Sequence, residues 1–256
     1  MPGRPDRATA WFEPDRPRIL AHRGLTTAGA PENTLLAFLV ALTAGAVYLE
    51  TDVHASADGV AVVSHDPDLA RLTGRARRVN ELTMAELREI PLGAGQSFCS
   101  LAELLAAFPD ARLNIDIKSQ GAAAPAAAAI LEAGAVRRVL VGSFSGRRRR
   151  AAVGRLPGVA TSASSVASAV AVAAARLGLV PIARLALRDV DAVQLPTRFG
   201  RFSTSTRGAI RALHRAGVEV HYWTIDDPEE MRALLAAGAD GIVTDRVDVA
   251  LAQLAS

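Results

Sequence analysis

The 256-residue chain has one cysteine, Cys99, and one lysine, Lys118, although lysine and arginine together number 29. A lone cysteine excludes an internal disulfide and leaves the redox compartment open, with a reducing one slightly favoured. Aromatic residues are scarce, at 4 %. No uninterrupted apolar run reaches membrane-spanning length; the most apolar segment, 166–175, contains a serine and stops at Arg176. Residues 1–18 are polar, rich in Pro and Arg, and lack the apolar core of a signal peptide, so a cytoplasmic protein without integral membrane association is expected. No Gly-rich dinucleotide fingerprint follows any strand-like run, which removes the main reason to prefer an open doubly wound sheet. The net charge of +3 favours anionic ligands weakly and is no argument for nucleic acid.

What is present is an alternation of apolar strand-like and helix-like segments, the pattern of a parallel α/β fold. Strands are expected at 18–21, through Glu50 and Asp52, and at 113–118, 139–142, roughly 159–162, 192–195, 218–224 and 241–244. A helix is expected over 34–44 with Asn33 as its N-cap, and short helices near 84–89 and at 100–108. The last of these starts with the capping box Ser100-Leu-Ala-Glu103. Asp227-Pro228 and Gly238 bracket a late helix. Half of the residues are apolar, with much alanine, and the length suits a single (β/α)8 barrel. One domain is expected over 18–256, with a flexible extension at 1–17 and an insertion at about 67–112.

The densest chemistry lies between Tyr48 and Asp66. Glu50 and Asp52 stand two apart on one strand and share a face. A second short strand returns after Asp58-Gly59, too soon for a parallel crossover, so the pair is an antiparallel hairpin. A two-residue turn at Asp58-Gly59 predicts His65 directly opposite Asp52. In a barrel the chemistry collects at the carboxyl ends of the strands. There the sequence adds His22-Arg23-Gly24, Asp116-Ile117-Lys118 and Trp223-Thr224.

With 29 cations and one lysine, 28 are arginine. The exception lies on an apolar strand beside a carboxylate, where a compact ammonium does what a guanidinium cannot; the plainer reading is an ion pair with Asp116. Three carboxylates suit a hard divalent cation such as Mg²⁺ or Ca²⁺, with Mn²⁺ also in range, rather than zinc. Together with two histidines and two cations, they fit phosphodiester cleavage by acid–base chemistry.

The ordered set His22-Arg23-Gly24, Pro31-Glu32-Asn33-Thr34, Glu50-x-Asp52, Asp58-Gly59, His65-Asp66, Asn114-Ile-Asp116-Ile-Lys118, Trp223-Thr224 and Gly241-Ile-Val-Thr-Asp245-Arg246 resembles the glycerophosphodiester phosphodiesterases. The resemblance spans 19 to about 248. It implies a TIM barrel that hydrolyses small-molecule glycerophosphodiesters to glycerol 3-phosphate and an alcohol, dependent on a divalent metal. It further implies His22 and His65 as the acid–base pair, Glu50, Asp52 and Asp116 as metal ligands, and Arg23 and Lys118 on the phosphate. The family usually carries Glu where this chain has Asp116. Rival readings are a lysophospholipase D- or phospholipase C-type enzyme acting on lipid, and a non-catalytic anion-binding barrel. The oligomeric state is not legible.

Several neighbours have plainer readings. Glu32 either neighbours the metal or orders its loop, and Asp66 either orients His65 or starts a turn. Trp223 either walls the glycerol pocket or packs the barrel, with the pocket favoured. His54 reads as solvated or supporting, His214 as surface and His221 as a satisfied core histidine. Arg147–Arg150 reads as a solvated helix start and Cys99 as a small buried apolar residue.

Overall fold

A computed structural model describes residues 10–26, 29–200 and 202–254. Eight parallel strands follow one another around a barrel: β1 (Arg18–His22), β2 (Tyr48–Ala55), β3 (Arg112–Ile117), β4 (Val139–Gly142), β5 (Ala160–Thr161), β6 (Ala192–Leu195), β7 (Glu219–Tyr222) and β8 (Gly241–Thr244). Hydrogen-bonded pairing runs continuously from β5 back through β1 and β8 to β6. A single parallel bridge, Ser162 to Ala192, joins the two ends. Alternate side chains of each strand point inward, so the pairs Leu20/His22 and Tyr48/Glu50 each place an apolar residue below a polar one. Leu20, Tyr48, Leu140, Ala160, Ala192 and Val243 pack together as the lower, apolar layer.

The floor of the barrel is sealed by the segment ahead of β1. Trp11 is fully buried, and its carbonyl accepts a 2.9 Å hydrogen bond from Tyr48 Oη. Buried Arg18 donates to the carbonyls of Pro14 and Phe12 and to Glu219, while Arg112 donates to the Ala10 carbonyl. Residues 10–17 are therefore packed against the barrel; the polar composition that suggests a loose extension conceals one large aromatic anchor. Residues 1–9 of the expected extension lie outside the described residues.

The first helix runs Leu35–Thr43, and its cap is Thr34, whose hydroxyl accepts from the Ala37 amide. Asn33 is not the cap: at φ 56° its side chain turns instead toward β2. Thr34→Ala is expected to cost about 1 kcal/mol, read as a lowered urea midpoint.

The hairpin register also differs from expectation. Val53 pairs with Val63 and Ala55 with Ala61, so Ser64, not His65, stands opposite Asp52 and donates to its carbonyl. The cause is a three-residue loop, Ala57-Asp58-Gly59, with Gly59 at φ 79°, in place of a two-residue turn. A one-residue shift would turn His65 to the opposite face. Regular pairing ends at Val63, and the chain bends so that His65 still reaches the cavity.

The insertion contains more than two helices. Helices at Ala70–Thr73, Met84–Arg88 and Leu101–Ala107 are joined by a 3-10 turn at Val79–Glu81 and a small hairpin of Pro91–Gly93 with Gln96–Ser97. It builds its own core from Leu69, Val79, Leu87, Phe98 and neighbours against Val62. The helix Gly146–Val153 does start at the arginine run, but it is not simply solvated. Arg149 is buried and donates to Thr161 Oγ1 and the Asp189 carbonyl, and Arg148 donates to the Lys118 carbonyl.

Candidate active site

The carboxyl ends of the strands enclose a cavity of about 250 Å³. His22, Arg23, Glu50, Asp52, His65, Asp116, Lys118 and Trp223 all line it. Local backbone geometry aims the first of these. Arg23 takes φ 56° and Gly24 φ 88° directly after β1, an unfavourable conformation for arginine that redirects the chain. Gly24 cannot be replaced, because a Cβ there would lie 2.6 Å from the Ala37 carbonyl carbon.

The two histidines are held alike. His22 Nδ1 lies 2.7 Å from Asp245 Oδ1 and His65 Nδ1 lies 2.8 Å from Asp66 Oδ1. A carboxylate only accepts, so each Nδ1 carries a proton and Nε2 is the nitrogen left for substrate. Burial lowers the His22 pKa, but the Asp245 hydrogen bond and the Glu50 charge outweigh it, and the net direction is upward. His54 is buried and donates from Nε2 to the His65 carbonyl at 3.2 Å, fixing the backbone of that histidine.

Lys118 Nζ sits 2.8 Å from Asp52 Oδ1 and 2.8 Å from Asp116 Oδ2, bridging two carboxylates. Arg23 Nε approaches Asp52 Oδ2 at 3.2 Å without hydrogen-bond alignment, and Asn33 Nδ2 donates to the same oxygen at 3.4 Å. Burial opposes ionisation of Asp52, yet Lys118 and Arg23 outweigh it and hold the carboxyl below its ordinary range. Glu50 has no such cation in contact. Burial and the Asp52 charge push its carboxyl up to about 8, and burial likewise raises Asp116.

Glu32 and Asp66 support the site from outside. Glu32 pairs with Arg23 at 3.2 Å and Arg71 at 2.6 Å, and Arg71 also reaches Asp66 at 2.5 Å. A chain of charges thus links Arg23 to His65 through Glu32, Arg71 and Asp66. Glu32 is an anchor for arginines, and Asp66 orients His65. Trp223 meets Phe144 edge-on at the cavity wall, 5.7 Å between ring centres.

Asp245 enters the sequence reading only within the closing Gly241–Arg246 motif, and composition and spacing give no role to it or to Arg71, Phe144 or Gln194. Asp245 carried a findable signal, an acidic residue immediately past the last barrel strand. Elsewhere, His221 is buried on the floor beside Glu219 at 3.1 Å. His214 is paired with buried Asp240 at 2.7 Å and is more than a surface residue. Cys99 is buried, its thiol pushed up to about 12.

A divalent ion would need Glu50, Asp52 and Asp116. Their oxygens have the donor chemistry for a hard cation. Asp116 Oδ1 is buried without a hydrogen-bond partner, and Glu50, its carboxyl raised first by burial and then by the Asp52 charge, has no lysine or arginine side chain in contact among the described residues. The residues fit such an ion in chemistry. With Lys118 between two of the three, no acidic or imidazole trio among the described residues is gathered to hold an ion as it stands. No helix among them is long and apolar enough to cross a membrane.

A family model, the glycerophosphoryl diester phosphodiesterase family, matches residues 22–249. The chain is 45 % identical over 231 residues to a Mycobacterium tuberculosis protein named probable glycerophosphodiester phosphodiesterase 2, covering 90 % of this chain and 88 % of that one. It is 31 % identical over 242 residues to the glycerophosphodiester phosphodiesterase of Caldanaerobacter subterraneus, covering 89 % and 93 %. The crystal structure of the Thermotoga maritima glycerophosphodiester phosphodiesterase matches with a TM-score of 0.72 and 28 % identity, over 94 % of this chain and 99 % of that one. With the barrel and the ordered strand-end residues, these matches place the chain in the glycerophosphoryl diester phosphodiesterase family.

Proposed function

We propose that the protein hydrolyses small glycerophosphodiesters to glycerol 3-phosphate and an alcohol, with His22 and His65 as its acid–base pair. One observation carries this reading: two histidines line a single cavity, each pinned at Nδ1 by its own aspartate. One imidazole takes the proton of the attacking oxygen, and the other delivers a proton to the departing alkoxide. Arg23 and Lys118 neutralise the charge that grows on phosphorus-bound oxygen. Glu50, Asp52 and Asp116 would hold Mg²⁺ or Ca²⁺, which supplies Lewis-acid polarisation of the phosphoryl group when bound.

The test is a panel of glycerophosphodiesters incubated with Mg²⁺, Ca²⁺ or Mn²⁺ and with chelator. Glycerol phosphate release that chelation stops is the expected result. Turnover that survives chelation would remove the metal, and no release under any condition would leave an anion-binding barrel.

Glu50 also predicts a pH effect without turnover. In the folded metal-free protein its proton is held up to about 8, whereas an unfolded glutamate loses it in the ordinary carboxylate range. Between those limits the native state binds more protons, so stability falls as pH rises. Wild type should therefore lose stability relative to Glu50→Gln as pH is raised from the ordinary glutamate range to about 8. A flat difference between the two melting curves would contradict it.

A further inference from the structure

The cavity is divided by charge. All its charged lining residues and both histidines fall between His22 and Lys118, on β1 to β3 and the hairpin. Among the described residues, every lining group from Gly142 onward is uncharged. That wall is lined by Ser143, Ser162, Ser165, Gln194, Phe144 and Trp223, with the Ser143 hydroxyl already donating to the Ile117 carbonyl. It is kept open by Gly142, where a Cβ would lie 2.6 Å from Ser162 Oγ and 3.8 Å from Gln194 Oε1.

Four buried polar atoms of the lining residues lack partners: Arg23 Nε and Asp116 Oδ1 among the charged groups, and two neutral ones, Asn114 Oδ1 on β3 and Gln194 Nε2 in the wall. Gln194 Nε2 is an unused donor and Asn114 Oδ1 an unused acceptor. Leaving such groups unpaired is costly, and a hydroxyl, which both donates and accepts, satisfies either kind. Charged head groups fit this wall poorly. The Phe144 ring already has Lys118 Nζ 5.4 Å from its centre, so a quaternary ammonium drawn to the ring would sit beside a like charge. Among the described residues the wall has no carboxylate to offset an ammonium and no cation to receive a carboxylate.

We propose that this wall holds the departing alcohol and selects uncharged polyhydroxy alcohols, with Gln194 as a specificity-determining residue. The inference rests on the phosphodiesterase reading above and names its substrate class. Glycerol or a cyclitol fits the hydroxyl and amide groups, and its carbon face packs on the rings. Choline, ethanolamine and serine bring charges that the wall does not match.

The experiment compares kcat/KM for glycerophosphoglycerol, glycerophosphoinositol, glycerophosphocholine, glycerophosphoethanolamine and glycerophosphoserine. A polyol diester is expected to exceed the three charged ones by about tenfold or more, the lower end of what a shaped pocket discriminates. Gln194→Leu should shrink that ratio, and Gln194→Glu should move it toward choline and ethanolamine; melting curves establish that both variants fold. A wild-type enzyme that prefers glycerophosphocholine overturns the selectivity and leaves the phosphodiesterase reading standing. So does a ratio that neither variant changes. If none of the five is cleaved, the phosphodiesterase reading itself fails, and the selectivity falls with it.

Discussion

Replacing His22 or His65 by alanine is expected to lower kcat on a glycerophosphodiester by about 10²–10⁴-fold, the contribution of a positioned acid or base. Neither change should unfold the protein. Both side chains lie at the cavity surface, 17 % and 33 % exposed, and each gives up one side-chain hydrogen bond, to Asp245 or Asp66. The partner aspartates allow a second measurement. Asp245→Asn keeps the shape but can offer its amide where an acceptor is needed, so it should depress kcat more than KM. Near-wild-type kcat in either histidine variant would remove that residue from the chemistry.

Lys118→Met is expected to be the most destabilising change at the site. The ammonium is shared by Asp52 and Asp116, both at 2.8 Å, and Asp52 is almost wholly buried. Removing one partner of a buried ion pair costs about 3–5 kcal/mol, because the remaining charge stays out of water. A divalent cation should recover part of that loss if the carboxylates bind it, since it would supply the missing positive charge. Urea unfolding with and without Mg²⁺ or Ca²⁺ reads both effects. A variant as stable as wild type would show that the ammonium is not the counter-ion of these carboxylates. Lys118→Arg should fall between the two, as a planar guanidinium does not fit where a point charge meets two oxygens.

Most of the barrel is legible because its strands are apolar runs bounded by turn residues, and Val139–Gly142, Ala192–Leu195 and Gly241–Thr244 have the bounds that pattern predicts. The polar pairs at strand ends are legible for the same reason: two-residue spacing fixes a shared face. What fails depends on single residues or long reach. The loop at Ala57-Asp58-Gly59 is one residue longer than the Asp-Gly signal suggests, and that moves the whole register. Asn33 is the better cap in composition, and the left-handed backbone there hands the role to Thr34. Trp11 looks like a stray aromatic in a polar segment until the barrel floor receives it. Asp245 and His22 are 223 positions apart, a separation that no local pattern spans.

The charge division of the cavity is also a division along the chain. The side chains proposed to react all lie at or before Lys118, while the neutral wall begins at Gly142. Apart from Asp245, which pins His22, substitutions in the later half could therefore reshape the proposed seat of the alcohol without touching the proposed acid–base pair. Such a barrel can acquire a new leaving group by altering one semicircle of strands, with the other inherited intact.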